Sequence, residues 1–294
     1  MQAFDYVAAH RVEQAVSLLS QHGAMARVFS GGTDLIVQMR EGRRRAALLV
    51  DIKPIPEVNQ LSYDARLGLL IGAAVPCSVI TAFPAAADFY PGLVDAVSLI
   101  GGIQIQNRAT VGGNLCNASP AADSFPALIV YKAVCLLAGP QGQREIQVEN
   151  FCTAPGQADL QPGEFLVALR VPPPAAGSGG SYLRFTPRSE MDIAVAGAAA
   201  TVVLADPTTF ASARIALGGV APTPLYVPEA GEALRGQKVS AAIIEQAAQI
   251  AQQAARPITD LRGTSAQRKR LCAVLVRRAL ERAALRATAR LGKE

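Results

Sequence analysis

Two segments with adjacent glycines carry the clearest chemical signal in this sequence. One of them consists of Thr110, Val111, Gly112, Gly113 and Asn114. Adjacent glycines let the backbone take angles that other residues avoid, and they let another group approach the main chain closely. Backbone N–H groups arranged in this way can surround an anion such as a diphosphate. The alternative is an ordinary β-turn with a polar loop, because glycine is common in turns.

The other segment consists of Ser30, Gly31, Gly32, Thr33, Asp34 and Leu35. A strand is predicted before it at Ala26–Phe29, and a helix after it at Leu35–Arg40. A glycine turn between a strand and a helix directs backbone donors and the positive end of the helix toward one point. Thr33 or Asp34 could instead do no more than cap the helix. Two such segments together favour a nucleotide-binding site.

A carboxylate, Asp123, lies downstream of a polar run that follows the first segment. It could accept hydrogen bonds from a hydroxylated part of the same ligand. Other familiar motifs are missing: no Gly-x-Gly-x-x-Gly follows a strand, and there is no Walker A motif. The two histidines, His10 and His22, lie on polar ground near the N-terminus and are expected at the surface. We therefore expect a bound cofactor to supply the chemistry.

The composition excludes several classes of protein. Half of the 294 residues are hydrophobic, enough for two domain cores or one large core. The five cysteines form no Cys-x-x-Cys pair, which argues against a disulfide framework, zinc or an iron–sulfur cluster. No run approaches the ~20 apolar residues of a membrane span, and the N-terminus does not resemble a signal peptide. These features predict a cytoplasmic protein with reduced thiols.

The net charge of +5 is unevenly distributed along the chain. Residues 237–294 contain 12 Lys/Arg and 4 Asp/Glu, a local charge of +8, whereas the remainder contains 16 and 19, or −3. Basic helices can bind nucleic acid, but no aromatic residues alternate with the arginines to stack on bases. We expect no nucleic-acid binding, and interpret the arginines as a solvated helix face or, second, as a contact with a partner subunit.

The order of predicted elements indicates two parts. The segment Pro172–Ser181 is rich in proline, glycine and serine and is predicted to be a linker or exposed loop. Before it, a change from β-α units to short hairpin strands suggests a second lobe near residue 55. Beyond it, strands precede helices, which predicts an α+β domain with helices on one face of a sheet. These strands are predicted at Ser181–Phe185, Ala194–Leu204 and Ala211–Leu217, and the helices at Ala241–Ala255 and Thr264–Leu291.

Several stretches resemble the FAD-binding medium subunit of the molybdenum hydroxylases, the family of xanthine dehydrogenase and carbon monoxide dehydrogenase. The matching residues are Ser30–Leu35, Gln106–Asn114 and Asn117–Asp123, and further on Met191–Ala194, Leu217–Pro224 and Asp260–Gly263. The resemblance covers nearly the whole chain. It implies an α+β fold: a two-lobed FAD-binding domain of the PCMH or vanillyl-alcohol-oxidase type, followed by an α+β C-terminal domain with helices on one face of an antiparallel sheet.

The domain limits that the resemblance implies are residues 1–175 for the FAD-binding domain and 176–294 for the C-terminal domain. The first domain would consist of lobes at about 1–55 and 56–175. Within these limits Ser30–Leu35 would hold the diphosphate of FAD from one lobe, and Thr110–Asn114 would hold it from the other. Asp123 would meet ribityl or ribose hydroxyl groups.

Three further positions are assigned by the resemblance to the neighbourhood of the cofactor rings. Ile100 would pack near the adenine or the ring edge, and Leu166 and Arg184 match positions near the isoalloxazine. Arginine carries a fixed positive charge, which would stabilise an anionic reduced flavin; a role as a surface strand residue is the alternative for Arg184. Cys116 is expected to pack rather than to react. No residue is placed to tether the flavin, so FAD would be bound noncovalently.

The implied function is electron transfer within a larger oxidoreductase. Electrons would leave a substrate on a large molybdopterin subunit, pass two [2Fe–2S] clusters on a small subunit, and reach FAD on this chain. They would then go on to NAD⁺, oxygen or another acceptor. The chain itself offers no catalytic residue and no metal site. Two alternatives stay open: a self-sufficient flavin oxidase or reductase of the same FAD-binding fold, and a non-enzymatic nucleotide-binding scaffold.

Overall fold

The computed structural model describes residues 2–292 of the chain. Met1, Lys293 and Glu294, at the ends of the two predicted domains, lie outside the described residues. The helices are Val12–His22 (α1), Leu35–Arg40 (α2), Cys77–Ala82 (α3), Pro84–Phe89 (α4), Pro91–Val97 (α5), Ile103–Gln106 (α6), Val111–Cys116 (α7), Ser124–Val130 (α8), Val148–Phe151 (α9), Pro228–Glu232 (α10), Ala241–Ala254 (α11) and Ser265–Leu291 (α12). The strands are Asp5–Ala8 (β1), Ala26–Phe29 (β2), Leu48–Asp51 (β3), Leu61–Asp64 (β4), Gly68–Gly72 (β5), Val134–Gly139 (β6), Gly142–Gln147 (β7), Cys152–Ala154 (β8), Gln157–Ala158 (β9), Phe165–Val171 (β10), Ser178–Phe185 (β11), Ala196–Asp206 (β12), Thr209–Gly218 (β13) and Leu225–Tyr226 (β14).

A parallel three-stranded sheet in the order β1-β3-β2 forms the N-terminal layer. All four residues of the central strand β3 are buried, as is typical of parallel strands covered on both faces. Helix α1 buries Ala15 and Leu19, four residues apart on one face, in the core of this layer. The strand β2 ends at Phe29, so the sheet holds the start of the glycine segment Ser30–Leu35 in place.

An antiparallel sheet in the order β4-β5-β10-β6-β7 forms the next layer. Its middle strand β10 buries Phe165, Leu166 and Leu169, and a break in its register opposite β6 falls between Leu166 and Ala168. The helices α3 to α8 lie between β5 and β6 in the chain and contribute to the same core. The second glycine segment forms the first turn of one of them, α7.

The third sheet, β11-β12-β13-β14, is antiparallel, and α11 and α12 share a hydrophobic core with it. Small residues let α12 lie close to the sheet: a Cβ atom on Gly179 would lie 2.2 Å from the carbonyl oxygen of Ala283. This contact corrects the predicted linker, because Ser178–Ser181 belongs to β11 and packs against α12. Within the predicted linker, only the residues from Pro172 to Gly177 lie outside strands.

The longest helix, α12, also changes our interpretation of the basic C-terminal residues. Arg268 is buried and donates to the carbonyl groups of Val195 and Gly219 and to Asp260. Arg286 donates to Asp95 at 2.6 Å. These two guanidinium groups bind backbone and carboxylate oxygens of the same chain, whereas Arg270 and Arg278 on the same helix are exposed, as expected for a solvated face. None of the helices within residues 2–292 combines the length and the apolar character that a membrane crossing requires.

A buried ion pair joins the start of α8 to the third sheet. Asp123, just before α8, accepts hydrogen bonds from the Tyr182 hydroxyl and from Arg184 Nη1, both at 2.6 Å. The side chains of Arg184 and Asp123 are only 6% and 9% exposed. Burial raises the pKa of Asp123 to about 6, and the charge of Arg184 and the two hydrogen bonds oppose this shift only in part. The pair therefore fixes β11 against α8 without guaranteeing a net gain in stability.

We expect the free energy of unfolding to depend on Asp123 between pH 5 and pH 7.5. The carboxyl binds its proton more tightly in the folded chain than in the unfolded chain, where the pKa is about 4. Its contribution to stability is therefore present at low pH and is lost as pH rises through about 6. When the pH is lowered from 7.5 to 5, the free energy of unfolding of the wild type should rise by on the order of 1 kcal/mol relative to that of Asp123→Asn. Urea unfolding of both proteins at several pH values measures it, and parallel curves for the two would contradict it.

Candidate nucleotide-binding site

The two glycine segments meet at one cavity of about 630 Å³, a size that suits a cofactor. The contact between them is tight: a Cβ atom on Gly31 would lie 2.1 Å from the carbonyl oxygen of Arg108. The hydroxyl groups of Ser30 and Thr110 lie 3.5 Å apart across the same junction. Only a residue without a side chain can occupy position 31, so glycine is what allows the segments to face one space.

The first segment offers free backbone donors to this cavity. Gly32 has a φ of +74°, and the ring of Phe29 lies where its Cβ atom would be. Within the described chain, the N–H groups of Gly31, Gly32 and Thr33 donate to no backbone carbonyl. Helix α2 begins directly afterwards. Unpaired N–H groups before a helix are the arrangement in which proteins bind anions.

The second segment differs from the sequence-based expectation in its backbone. Gly112 and Gly113 are helical and do not take positive φ, because α7 begins at Val111. Thr110 caps this helix by accepting a hydrogen bond from the Gly113 N–H at 2.9 Å. A Cβ atom on Gly112 would lie 2.6 Å from the carbonyl oxygen of Ala73, whereas one on Gly113 would meet only the Thr110 hydroxyl at 3.0 Å. Gly112 is thus needed for packing, and Gly113 leaves room on the cavity side.

Polar side chains continue the cavity wall beyond the glycines. Gln38 accepts from Arg44 Nε at 2.7 Å and donates to Asn117 Oδ1 at 2.8 Å. Asn117 in turn lies 3.5 Å from a carboxylate oxygen of Asp34. This chain of hydrogen bonds connects the start of α2 with the end of α7, so the two segments are held by side chains as well as by backbone contact.

Arg27 supplies an unsatisfied positive group at the cavity. Its Nε atom is buried and has no hydrogen-bond partner among the described residues. Burial, and to a lesser degree the charge of Arg44, lowers the pKa of Arg27. A buried donor without an acceptor is unfavourable. An anion in the cavity would provide the acceptor and offset the repulsion between the two guanidinium groups.

Most of the residues singled out in the sequence line the cavity: Ser30, Gly31, Gly32, Thr33, Asp34, Leu35, Ile100, Thr110, Gly112, Gly113, Asn114 and Leu166. Val111, Asp123 and Arg184 are placed differently. Val111 points into the core and is fully buried, and the other two form the ion pair described above. Asp123 is connected to the cavity through its neighbour Ser124, whose hydroxyl donates to Asn114 Oδ1 at 2.6 Å.

Several side chains at the cavity are absent from the sequence-based list of ligand residues, among them Arg27, Gln38, Arg44 and Asn117. A cation in the strand just before a glycine turn was the available signal for Arg27. The others come together only through the fold. Cys116 also lines the cavity, and burial raises the pKa of its thiol to about 12, which keeps it protonated and agrees with a packing role.

The residues present fit a dinucleotide diphosphate. Free backbone donors and two guanidinium groups surround the middle of the cavity, and Ile100 and Leu166 give it apolar walls. One acidic neighbour, Glu164, is paired with Arg144 at 2.8 Å and so adds little negative charge. The second acidic residue at the cavity is Asp34. Burial raises the pKa of its carboxyl group, which makes its negative charge less favourable. The balance favours an anionic ligand with apolar ring systems.

Comparison with protein families assigns both parts of the chain. Residues 2–174 match the FAD binding domain in molybdopterin dehydrogenase. Residues 181–283 match the CO dehydrogenase flavoprotein C-terminal domain. The two matches follow one another along the chain, in the order that the sequence resemblance implied.

Similar proteins match over nearly their whole length. A putative xanthine dehydrogenase FAD-binding subunit of Escherichia coli K12 is 30% identical, with 98% of this chain and 99% of that protein covered. In the solved carbon monoxide dehydrogenase from Hydrogenophaga pseudoflava, a chain is 32% identical with a TM-score of 0.93, covering 97% and 98% of the two chains. In the solved quinoline 2-oxidoreductase from Pseudomonas putida 86, a chain is 26% identical with a TM-score of 0.91, and the match covers 98% of this chain and 99% of that chain.

These matches confirm the predicted α+β fold, with an FAD-binding domain followed by a C-terminal domain, and they confirm FAD as the cofactor. The cavity between the two glycine segments lies within the part that matches the FAD-binding domain. Its free amide donors, cationic side chains and apolar walls suit that cofactor. The chain belongs to the FAD-binding subunits of the molybdenum hydroxylase family, the oxidoreductases that include xanthine and carbon monoxide dehydrogenases.

Proposed function

We propose that this chain carries one noncovalently bound FAD and transfers electrons within a molybdenum hydroxylase complex. It receives them from the [2Fe–2S] clusters of a small partner subunit and passes them to NAD⁺, oxygen or another acceptor. The single observation that carries the proposal is one cavity lined both by Gly31–Thr33, whose N–H groups donate to no backbone carbonyl of the described chain, and by Arg27, whose buried Nε atom has no partner there. Five free cysteines support a cytoplasmic location as part of the proposal.

The proposed binding mode assigns the diphosphate to the junction of the two glycine segments. Gly31–Thr33 donates backbone hydrogen bonds from one side, and the first turn of α7 at Thr110–Asn114 contributes from the other. Arg27 and Arg44 balance the negative charge. Residues 1–175 then form the cofactor domain, with lobes at about 1–55 and 56–175, and residues 176–294 form the C-terminal domain. This division agrees with the gap between β10 and β11.

The ring systems of the cofactor are proposed to lie along the apolar walls. Ile100 and Leu166 exclude water there, and Leu166 adjoins the irregular register of β10. Bound FAD supplies one- and two-electron redox chemistry, which none of the side chains can provide. The charge of Arg184 is largely compensated by Asp123 at 2.6 Å, so its effect on the flavin acts through the pair. Asp123 does not line the cavity, so its contact with a ribityl or ribose hydroxyl stays a prediction of the sequence resemblance.

The organic substrate is proposed to bind on another chain. The three similar proteins described above are named for xanthine, carbon monoxide and quinoline, yet each matches this chain from end to end. Because chains of one fold occur in enzymes named for such different substrates, we infer that these chains share an electron-transfer role and do not bind the substrate. A large molybdopterin subunit and a small [2Fe–2S] subunit are therefore the partners that we propose.

The first expectation is that FAD leaves the protein on acid denaturation. None of the contacts proposed above is covalent, and the Cys116 thiol stays protonated in its buried surroundings. Precipitation with acid should release all of the flavin into the supernatant, where chromatography identifies it as FAD. Flavin that stays with the precipitate, or a protein purified without flavin that also fails to bind added FAD, would contradict the proposal.

Gly113→Val should remove flavin binding while the fold is kept. A Cβ atom at position 113 would meet only the Thr110 hydroxyl, at 3.0 Å, and we expect the valine side chain to project into the space assigned to the diphosphate. We expect the affinity for FAD to fall at least about tenfold, a loss of roughly 1.4 kcal/mol or more, with an unchanged circular dichroism spectrum. Gly112→Val is the contrast, because its Cβ would clash with Ala73 and should lower the melting temperature even without FAD. A folded Gly113→Val protein with full FAD content would show that the diphosphate lies elsewhere.

The isolated chain should accept electrons but oxidise no organic substrate. Anaerobic bleaching of the flavin by dithionite or by reduced nicotinamide is expected. Purines, aldehydes and N-heterocycles should bleach it only after the partner subunits are added, because the organic substrate is proposed to bind on the large molybdopterin subunit. Bleaching by an organic substrate with this polypeptide alone would identify a self-sufficient flavoenzyme and overturn the subunit role.

A further inference from the structure

A cluster of side chains behind the first glycine segment points to a role for Lys53. We propose that Lys53 is a positioning residue: it acts through the carbonyl group of Ser30 to orient the N–H groups of Gly31 and Gly32 toward the cavity. The inference rests on the proposed FAD site. Lys53 itself does not line the cavity, so it acts through the backbone and not by touching the cofactor.

The contacts of Lys53 join the end of β3 to the end of β2. Its Nζ atom donates to the Ser30 carbonyl at 3.3 Å and to Asp51 Oδ1 at 2.6 Å. The ammonium group also lies 4.2 Å from the centre of the Phe29 ring, within the range of a cation–π interaction. One ammonium group therefore contacts Phe29 at the end of β2, Ser30 at the start of the glycine segment, and Asp51 at the end of the neighbouring strand β3.

Peptide geometry converts the Ser30 contact into an orientation of the next amide. The carbonyl of Ser30 and the N–H of Gly31 belong to one planar trans peptide and point in opposite directions. Lys53 holds the Ser30 carbonyl and does not itself line the cavity, whereas Gly31 does; we infer that the N–H of Gly31 is thereby turned toward the cavity. That N–H group has no backbone acceptor within residues 2–292, which leaves it available to a ligand.

Phe29 extends the same constraint to Gly32. Its Cε2 atom would lie 2.4 Å from a Cβ atom on Gly32, so the ring supports the residue whose φ is +74°. The ring of Tyr6 packs edge-on against Phe29 with a centroid distance of 6.4 Å. The ammonium group of Lys53 and the Tyr6 ring thus hold the Phe29 ring in place, and the ring holds Gly32 in its left-handed conformation.

Asp51 anchors Lys53 from the buried side. It accepts hydrogen bonds from the Lys53 Nζ atom, from the Lys53 backbone N–H at 2.9 Å and from the Tyr6 hydroxyl. Burial by itself would raise the pKa of Asp51, but these hydrogen bonds outweigh it and lower the pKa. The carboxylate is therefore ionised at neutral pH, and it fixes the ammonium group at a defined point beneath the segment.

The test compares Lys53→Met and Lys53→Arg with the wild type. Lys53→Met keeps the length of the side chain but removes the donor, and we expect its affinity for FAD to fall about tenfold. Lys53→Arg keeps a cationic donor and should restore most of the affinity. Lys238→Met is the matched control, because its Nζ atom bonds the hydroxyls of Thr208 and Thr209 far from the cavity, and it should bind FAD like the wild type. FAD titration of the flavin-free proteins gives these affinities.

A second measurement separates positioning from attraction between charges. At saturating FAD, hydrogen exchange of the backbone amides of residues 31–33 should be faster in Lys53→Met than in the wild type and normal in Lys53→Arg. A weaker affinity with unchanged exchange at saturation would assign Lys53 to long-range charge attraction and overturn the inference. So would equal affinity of Lys53→Met and wild type. Failure of the wild type to bind FAD is a different result, which would remove the proposed function itself.

Discussion

The site depends on one close backbone approach, that of Gly31 to the carbonyl group of Arg108. A Cβ atom at position 31 would lie 2.1 Å from that oxygen, closer than any two such atoms can come. Because glycine has no Cβ atom, the two backbones can approach this closely. The end of the N-terminal sheet and the start of α7 therefore meet at one cavity. The supporting contacts, from the Thr110 cap to the hydrogen bonds of Gln38, are arranged around this junction.

The charges around the cavity divide into those left for a ligand and those already paired. Glu164 is neutralised by Arg144, and Asp51 by Lys53. The Nε atom of Arg27, in contrast, is buried without a partner in the described chain. Unsatisfied donors of this kind are unfavourable in the empty protein. In the proposed binding mode an anionic cofactor would offset this cost, and that would favour a diphosphate at this site.

The C-terminal part shows how a chain with few aromatic residues builds a close-packed interface. Alanine and glycine on β11, β12 and α12 let the helix approach the sheet at backbone distance, where dispersion contacts are most numerous. Polar groups then fix the orientation of this part: Asp123 binds Tyr182 and Arg184, and Asp95 binds Arg286. Since both carboxylates precede residue 172 in the chain, the two parts are held together by specific bonds and by packing.

The sequence by itself determined several local elements, the cofactor class and the two glycine segments of the cavity wall. Local residue patterns placed β2 at Ala26–Phe29 and α2 at Leu35–Arg40, and the glycine segments with their polar neighbours indicated a nucleotide. Only the tertiary structure decided that Gly112 is helical, that Ser178–Ser181 is strand, and that Lys53 contacts Ser30. The physical reason is that these outcomes depend on atoms distant in the chain: Ala73 beside Gly112, α12 beside Gly179, and the neighbouring strand beside Ser30. Local residue preferences describe the angles that a segment can adopt, but packing against remote segments selects among them.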